Sequence, residues 1–358
     1  MQAILRRGAQ FLSSSKDSST STAAADGSFR SVSSHDALFP KVDPVVDGED
    51  CDRDCASCTV HYPARFDVNL TDKLYGNVNA WATHVLVATG KTDWVRDVTD
   101  EKGSVMEAIG KGGIEPSNGK LKLSASNIPV PDEYHHHEDG SPSRPTTVLL
   151  LPAFTFIDHV TPALVPDLIK YFVNPSVTTT TPLHSQKKDD ASSATNTADI
   201  SSLTPLRSRL CPHAAVILLC SQRTRDARCG ISAPLLKREF ERHLRTYGLY
   251  RDADDERPGG VGIYFISHVG GHKYAANVIV YRRRDFEWYK KKSSSEEEEK
   301  KRAEEQEAEG ATQGIWLARV RPEECENIVK FTVLQGKVVK PKDQLRGGFD
   351  RERGVTSW

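Results

Sequence analysis

The residues that offer chemistry in this chain are two cysteines and two histidines at the ends of apolar segments. The apolar run 214–219 leads into Cys220, and Cys229 follows in the segment CSQRTRDARCG. His268 and His272 stand on either side of a Gly-Gly pair between two further β-branched runs. Such runs predict strands, and the glycines permit the tight backbone of a short loop between them. We therefore expect the four side chains to lie at strand ends.

A set of thiols and imidazoles suits two kinds of metal centre. Cys and His are ligands of tetrahedral zinc, and they also hold 2Fe-2S clusters with mixed ligation. A single buried cysteine more often serves packing, and a single histidine more often makes an ordinary hydrogen bond. Four such residues at strand ends favour a metal site. The spacing alone leaves zinc and the cluster open.

The ligand segments CSQRTRDARCG and HVGGHKYAANVIVY resemble the sucrase/ferredoxin-like family, the thioredoxin-like 2Fe-2S ferredoxins, and within it the altered inheritance of mitochondria branch. The likeness continues through HVLVATGKTDW and GIWLARVRPEECENIVKF to the LRGG segment, and it spans residues 50 to 348. Gln222 and Arg223 stand where members of the family often have His-Gly. The resemblance implies a 2Fe-2S cluster as cofactor, with four ligands: Cys220, Cys229, His268 and His272.

The resemblance implies one-electron transfer, in mitochondrial redox homeostasis. Imidazole ligands in place of thiolates raise the reduction potential of such a cluster. No constellation of carboxylates marks a glycosidase, and the chain contains neither a glycine-rich phosphate loop nor a nucleophile elbow. We therefore favour a one-electron carrier over an enzyme, and we expect redox partner proteins that the sequence does not identify.

Two other functions fit parts of the same sequence. A zinc-stabilised interaction module would use the same ligands but would be colourless and redox-silent. A thiol-disulfide oxidoreductase would use Cys55 and Cys58, which have C-x-x-C spacing and follow Cys51 in CDRDCASC. Redox motifs of this kind normally lie between a strand and a helix, whereas Pro63 and a polar tail flank this one. A surface thiol cluster without a catalytic role is equally expected there.

Positive charge is concentrated near the proposed ligands but not in the whole chain. Four basic residues flank the proposed ligands: Arg223, Arg225, Arg228 and Lys273. Their charge would stabilise a sulfide-rich centre or attract an acidic partner. The alternative is that they are simply solvated loop residues. In total, 48 Lys and Arg face 49 Asp and Glu, a net charge of -1. This balance does not indicate a nucleic-acid binder.

The elements that must position the ligands predict an α/β (α+β) protein of two domains. Thr83–Thr89 and Thr146–Leu151 are strand candidates in the first, and Val261–Ile266 precedes the histidine loop in the second. A helix over Pro234–Tyr247, capped by Ser232, is expected after Cys229. The resemblance implies that the C-terminal domain is a thioredoxin-like ferredoxin domain.

The amino-acid composition along the chain predicts the boundaries between its domains and linkers. Residues 1–36 begin with a basic, acid-poor, amphipathic stretch, which predicts a mitochondrial presequence or else a disordered tail. An N-terminal α/β domain (50–173), a Ser/Thr-rich flexible linker (174–204) and the 2Fe-2S domain (205–348, with a charged insertion at 290–312) follow. No run reaches the ~18 to 20 apolar residues that span a bilayer, so no membrane insertion is expected. We expect a mitochondrial location, in the matrix or intermembrane space, and a cytoplasmic pool remains open.

Overall fold

The computed structural model describes residues 29–136, 144–183, 197–284 and 309–358, and within these ranges the strands form one mixed sheet. In chain order the strands are β1 (Arg30–Ser31), β2 (Thr83–Ala88), β3 (Leu121–Ser126), β4 (Thr146–Leu151), β5 (Thr155–Val160), β6 (Arg207–Leu210), β7 (Ala215–Cys220), β8 (Tyr250–Arg251), β9 (Val261–Ile266), β10 (Val278–Arg283), β11 (Ala311–Leu317), β12 (Leu345–Asp350) and β13 (Val355–Thr356).

Helices flank this sheet. The α-helices are α1 (His35–Leu38), α2 (Pro44–Asp47), α3 (Val105–Lys111), α4 (Val165–Asp167), α5 (Thr197–Leu203), α6 (Ala227–Thr246), α7 (Cys325–Asn327) and α8 (Pro341–Gln344). Short 3-10 turns cover Val98–Asp100, Asp132–His136, Pro162–Leu164, His272–Tyr274 and Pro322–Glu324, and π turns cover Leu168–Val173 and Ile328–Val333. In the described part of the chain, no helix is long and apolar enough to cross a bilayer.

The sheet consists of two halves that follow the same path. In the first, α3 joins the parallel strands β2 and β3, and β4 and β5 continue antiparallel beyond β2. In the second, α6 joins the parallel strands β7 and β9, and β10 and β11 continue antiparallel beyond β7. The strand orders are β3-β2-β4-β5 and β9-β7-β10-β11. The halves meet where β3 and β9 pair antiparallel, at Ser126 and Ile266.

The helical segments that close the two halves also correspond. One begins at Pro162 and the other at Pro322, and each runs from a 3-10 turn through an α turn into a π turn. Proline suits a first helical turn because its φ is fixed and it lacks an N–H. His159 and Arg319, which precede these segments, both have left-handed backbone, with φ of 65° and 58°. The halves are therefore repeats of one βαβ-ββα unit.

The core lies on both faces of the sheet, because its central strands are buried along their whole length. Every residue of β2, β4, β7, β9, β10 and β11 is buried. Strands covered on both faces have continuous apolar runs instead of alternation, which explains why these segments stand out in the sequence. Trp81 of the first half packs edge to face on Trp316 of the second, with ring centroids 5.5 Å apart.

The mixed α/β class is confirmed, and the strand candidates occur where they were predicted, but the helix after β7 begins earlier than expected. Asp226 caps α6, since its Oδ1 accepts a hydrogen bond from the Arg228 N–H at 2.9 Å. Ser232 is not a cap. It lies inside the helix, where its hydroxyl donates to the carbonyl of Cys229. The earlier start places Cys229 in the first turn of α6 instead of in a loop.

Two expected boundaries differ from the structure. The chain is ordered before residue 36, because the Arg30 N–H donates to the Gly354 carbonyl at 2.8 Å and adds β1 to β13. The stretch expected as a flexible linker is packed at its start, where the buried Thr179 hydroxyl donates to the Trp81 carbonyl at 2.7 Å. Residues 184–196 of that linker lie outside the described residues. The same is true of residues 290–308 of the charged insertion.

β6 connects the two halves a second time, in addition to the pairing of β3 with β9. It falls in the range expected for the C-terminal domain, yet it pairs antiparallel with β5 at the outer edge of the first half. An edge strand offers unpaired backbone groups, and β6 covers those of β5. The second half therefore contributes a strand to the first.

Candidate metal centre

β7 and β9 bring two of the proposed ligands to the same edge of the sheet. Cys220, the last residue of β7, is the register partner of Ile266, the last residue of β9. Parallel neighbours present their carboxyl ends at one edge, where α/β proteins place their sites. His268 follows β9 closely, and its Nδ1 lies 3.9 Å from the Sγ of Cys220.

α6 supplies the second thiol. Because the helix begins at Asp226, Cys229 lies in its first turn and is fully buried. The Sγ atoms of Cys220 and Cys229 are 3.4 Å apart, and both cysteines are free. Two thiolates bound to one tetrahedral metal at ~2.3 Å each would be about 3.7 Å apart. The two thiols are thus spaced as ligands of a single ion would be.

The loop that contains Gly270 and Gly271 brings His272 close to His268. Gly270 and Gly271 have φ of 87° and 68°, which side-chain-bearing residues rarely adopt. As a result, Nδ1 of His272 lies 3.5 Å from Nε2 of His268. The thiols are buried, His268 is half-buried and His272 is exposed. Cys220, Cys229 and His268 therefore converge within 4.8 Å of one another, and His272 adjoins this group through His268 on the side of the surface.

The two thiols share a hydrogen bond that shifts their pKa values in opposite directions. This hydrogen bond lowers the pKa of Cys220 and raises the pKa of Cys229. Burial, and then the neighbouring His268, lower the pKa of His272. Metal ions bind thiolates and neutral imidazoles, so the shifts of Cys220 and His272 favour the forms that a metal requires, whereas Cys229 must lose its proton when a metal binds.

Gln222 ties His268 to the first half. Its Oε1 accepts a hydrogen bond from the His268 N–H at 2.8 Å, and its Nε2 donates to the Val95 carbonyl at 2.6 Å. The neighbouring Ser221 hydroxyl donates to the Thr92 carbonyl at 2.7 Å. Residues 92–95, at the end of the HVLVATGKTDW segment and just after it, therefore hold the loop that follows Cys220.

Arg346 on β12 holds the histidine loop, a role that was not expected from the sequence. Its Nη1 donates to the carbonyl of Gly270 at 3.0 Å and to Oδ1 of Asn277 at 2.7 Å, while Nη2 donates to the carbonyl of Asn77 at 2.6 Å. The guanidinium lies 4.4 Å from the ring centroid of Trp316. Burial lowers the pKa of Arg346 to about 10, so it stays charged at neutral pH. The only sequence signal was its place in the LRGG segment.

A second cation comes from the first half. Nζ of Lys122, on β3, lies 4.9 Å from the ring centroid of Trp316 and 5.5 Å from that of Trp81. Burial lowers the pKa of Lys122 to about 8, and the negative charge of Cys220 works against this shift. Lys122 and Arg346 together stabilise negative charge on the Cys220 side of the site.

The basic flank predicted from the sequence is partly neutralised. Arg228 pairs with Asp226 at 2.8 Å, and Lys273 pairs with Asp72 at 2.6 Å. Arg228 also holds the pKa of the Asp226 carboxyl below its usual value. Arg223 is exposed. The positive charge available to a partner is thus smaller than the sequence suggested.

Among the residues that the structure describes, the matching edge of the first half offers no comparable ligand set. β2 ends at Ala88, in the position that Cys220 has in β7, and its register partner at the end of β3 is Ser126. Within the described ranges, thiols and imidazoles come together at this edge in the second repeat and not in the first.

The cysteines of the CDRDCASC segment lie elsewhere and are not a surface cluster. Cys51, Cys55 and Cys58 are 2%, 9% and 8% exposed, because their segment packs against the second half. They lie in turns, without the flanking strand and helix typical of a C-x-x-C redox motif. The Cys55 N–H donates to the carbonyl of Glu323 at 2.8 Å.

The profile of the sucrase/ferredoxin-like family matches residues 74–347, and the chain belongs to this family. Actin patches distal protein 1 of Saccharomyces cerevisiae is 56% identical over 69 residues, which are 19% of this chain and 22% of that protein. Altered inheritance of mitochondria protein 32 of Clavispora lusitaniae is 33% identical over 128 residues, 36% of this chain and 33% of that protein. The protein of the same name from Debaryomyces hansenii is 34% identical over 125 residues, 35% of this chain and 33% of that protein.

The chain therefore aligns with a third or less of the length of these relatives. No solved structure matches it.

Proposed function

We propose that this protein is a one-electron carrier that holds a 2Fe-2S cluster on Cys220, Cys229, His268 and His272. The observation that carries the proposal is the convergence of paired ligands, with Sγ atoms 3.4 Å apart and imidazole nitrogens 3.5 Å apart. The donor set fits the group, because two thiolates can serve one iron and two imidazoles the other.

The second repeat is assigned to the thioredoxin-like ferredoxin class within this proposal. Its βαβ-ββα path, with α6 and the Pro322 segment as helices, is compatible with that class. The family description supports the ferredoxin part of the assignment. The cofactor then sits where the β7 and β9 strand ends meet the start of α6.

A bound cluster of this kind accepts and releases one electron at a time. The surrounding residues decide where the electron enters. The thiols are buried and His272 is exposed, so the histidine side offers the shortest route to a partner. Tunnelling weakens steeply with distance, and we therefore place the contact with a redox partner protein over His272.

The charges around the ligands raise the reduction potential of a bound cluster. Neutral imidazoles bring less negative charge to the site than thiolates would. Lys122 and Arg346 add positive charge near Cys220, which stabilises the reduced, more negative state. The chain thus favours a higher potential than an all-cysteine site.

We place this activity in mitochondrial redox homeostasis. The support is the name of the relatives from Clavispora lusitaniae and Debaryomyces hansenii, which refers to the inheritance of mitochondria. Fractionation of cells followed by protease protection would test the location. Recovery of the chain outside mitochondria alone would contradict it.

The first experiment is to purify the full chain without air and to measure its visible and EPR spectra together with iron, sulfide and zinc. We expect a red-brown protein with about two irons and two sulfides per chain and a Rieske-like reduced signal. Cys220→Ser and His268→Ala should lose the iron, whereas Cys211→Ser, at another buried free cysteine, should retain it.

Stoichiometric zinc at these ligands without a chromophore, persisting after an iron-replete preparation, would overturn the carrier and favour the zinc-stabilised module. Loss of a thiol-disulfide activity in Cys55→Ser and Cys58→Ser variants with intact iron would instead favour the oxidoreductase.

A further inference from the structure

A second group of metal-ligand side chains lies on the far part of α6. Cys55, His243 and Glu326 place their Sγ, ring nitrogen and carboxylate oxygen within 4.8 Å of one another. Cys229 is in the first turn of α6 and His243 is near its last turn, about 20 Å farther along the axis at ~1.5 Å per residue. This group is therefore separate from the proposed cluster ligands.

The segment that carries Cys55 is fixed by polar contacts although it has no regular secondary structure. Asp54 accepts hydrogen bonds from Arg321 at 2.6 Å and from Lys340 at 2.8 Å. Nδ2 of Asn327 donates to the Arg53 carbonyl at 2.7 Å. On the other side of the thiol, Nη1 of Arg242 on α6 donates to the Ser57 hydroxyl at 3.2 Å. These contacts hold the thiol beside α6 and α7.

The ring of His243 has a lone pair directed into this group. Nη2 of Arg242 lies 3.0 Å from Nε2 of His243 and 3.6 Å from Sγ of Cys55. A guanidinium has only donors, so Nε2 must be the acceptor in that contact. A cation therefore already stands between two potential metal ligands. The side chain of Arg242 is 40% exposed, and its Nη2 also pairs with Glu239 at 2.7 Å. Because Nε of Arg242 donates to the same carboxylate at 2.9 Å, the ion pair can persist through Nε when Nη2 leaves this position.

An acidic cavity leads to the group. It has a volume of about 510 Å³ and is bordered by both Cys55 and Glu326. The other acidic residues that line it are Asp47, Glu49, Asp50 and Asp54. The lining also includes Arg53 and Lys330, so acidic side chains outnumber basic ones. Three of these carboxylates are paired, Asp47 with Lys337, Asp50 with Arg53 and Asp54 with Lys340, so the net negative charge is smaller than the count of residues. The charge that remains attracts cations, and the cavity provides a route of entry.

Cys58 is close enough in sequence to complete the ligand set. Its N–H donates to the Cys55 carbonyl at 3.3 Å, which forms the turn of a C-x-x-C pair. The Cys58 thiol is buried and donates to the Val60 carbonyl at 3.3 Å. Rotation away from that carbonyl would free its sulfur for a metal.

We propose that Cys55, His243, Glu326 and Cys58 form a structural zinc site that fastens the N-terminal segment to α6 and α7. Sulfur, imidazole and carboxylate ligands are those that tetrahedral zinc accepts, at metal distances of about 2.0 to 2.3 Å. The site closes a long loop between the segment near residue 55 and the second half. It does not depend on the proposed electron-transfer function.

The test measures zinc and iron in the full chain after dialysis against Zn²⁺ and then against metal-free buffer. We expect about one tightly held zinc per chain in addition to the iron. Cys55→Ala and His243→Gln should each lose the zinc and keep the iron. Cys51→Ala, which removes a buried cysteine of the same segment outside the ligand group, should keep both metals.

Cobalt binding provides a readout that does not require Cys55→Ala, His243→Gln or Cys51→Ala to fold. In a Cys220→Ser/Cys229→Ser background without the cluster chromophore, added Co²⁺ should give the visible absorption of tetrahedral cobalt with sulfur ligands, and Zn²⁺ should displace it. The proposal is overturned if the wild-type chain retains only iron, if Cys51→Ala loses the zinc as fully as Cys55→Ala, or if no cobalt bands form. A Cys55–Cys58 disulfide in anaerobically purified protein would also overturn it.

Discussion

Nη1 of Arg346 lies 3.0 Å from the carbonyl oxygen of Gly270, at the centre of the loop that carries both proposed histidine ligands. The contact joins β12, near the end of the chain, to the turn after β9. It fixes the backbone between His268 and His272 by a buried, charged donor. The geometry of the histidine pair therefore depends on a residue outside the ligand segments.

Replacing Arg346 by Lys should keep the charge but lose the forked geometry that serves Gly270, Asn277 and Asn77 at once. We expect a loss of about 2 to 3 kcal/mol in the free energy of unfolding and faster release of iron to a chelator. Urea denaturation and chelator kinetics measure the two effects. Arg257→Lys, at an exposed arginine paired with Asp255, is the control. Equal behaviour of the two variants would contradict a positioning role for Arg346.

The two loop glycines should respond differently to the same substitution. Both have left-handed φ, so alanine costs about 1 to 2 kcal/mol at either. A Cβ at Gly270 would meet open space, whereas a Cβ at Gly271 would lie 2.5 Å from Nη2 of Arg346. That guanidinium is hydrogen-bonded and buried, so it cannot move aside cheaply. Gly270→Ala should retain most of its iron, and Gly271→Ala should lose most of it. Similar iron contents in the two variants would contradict the predicted clash with Arg346.

His272→Cys tests the assignment of the exposed ligand. A thiolate can take its place and adds negative charge, so we expect the cluster to assemble with a reduction potential lower by on the order of 100 mV. Redox titration followed by EPR measures the shift. His61→Cys introduces a cysteine at another exposed histidine and should leave the potential unchanged. An intact cluster with an unchanged potential in His272→Cys would mean that this residue is not a ligand.

His213 makes stability depend on pH. It is buried with Nε2 3.0 Å from the Tyr264 hydroxyl, and burial lowers its pKa from 6.5 to about 4. As pH falls below 6.5 the unfolded chain binds this proton and the folded chain does not. The free energy of unfolding should therefore decrease by up to about 1.4 kcal/mol per pH unit until pH approaches 4.

His213→Gln should remove this contribution, because glutamine does not titrate. Urea denaturation of both proteins near pH 7 and near pH 5 gives the difference, in which the carboxylates common to both cancel. Parallel pH profiles for the two proteins would show that His213 does not carry the linkage.

The sequence by itself determined the main strands and the residue types of the proposed ligands. Runs buried on both faces are continuous and apolar, so β2, β4, β7 and β9 could be located from local composition. Cysteines and histidines at the ends of such runs indicate a metal site by their residue types and positions alone. The start of α6 was missed because Asp226, the actual cap, lies in a charged loop where several residues qualify as caps.

Only the tertiary structure decided what holds the proposed ligands. Gln222 reaches Val95 across 127 positions of sequence, and Arg346 reaches Gly270 across 76. The correspondence of the two halves, and the approach of Cys55 to His243, likewise arise from packing. Local patterns reflect neighbours along one strand or helix, whereas these contacts depend on how distant segments cross once the sheet has formed. The ligand types were therefore readable in the sequence, and their supports were not.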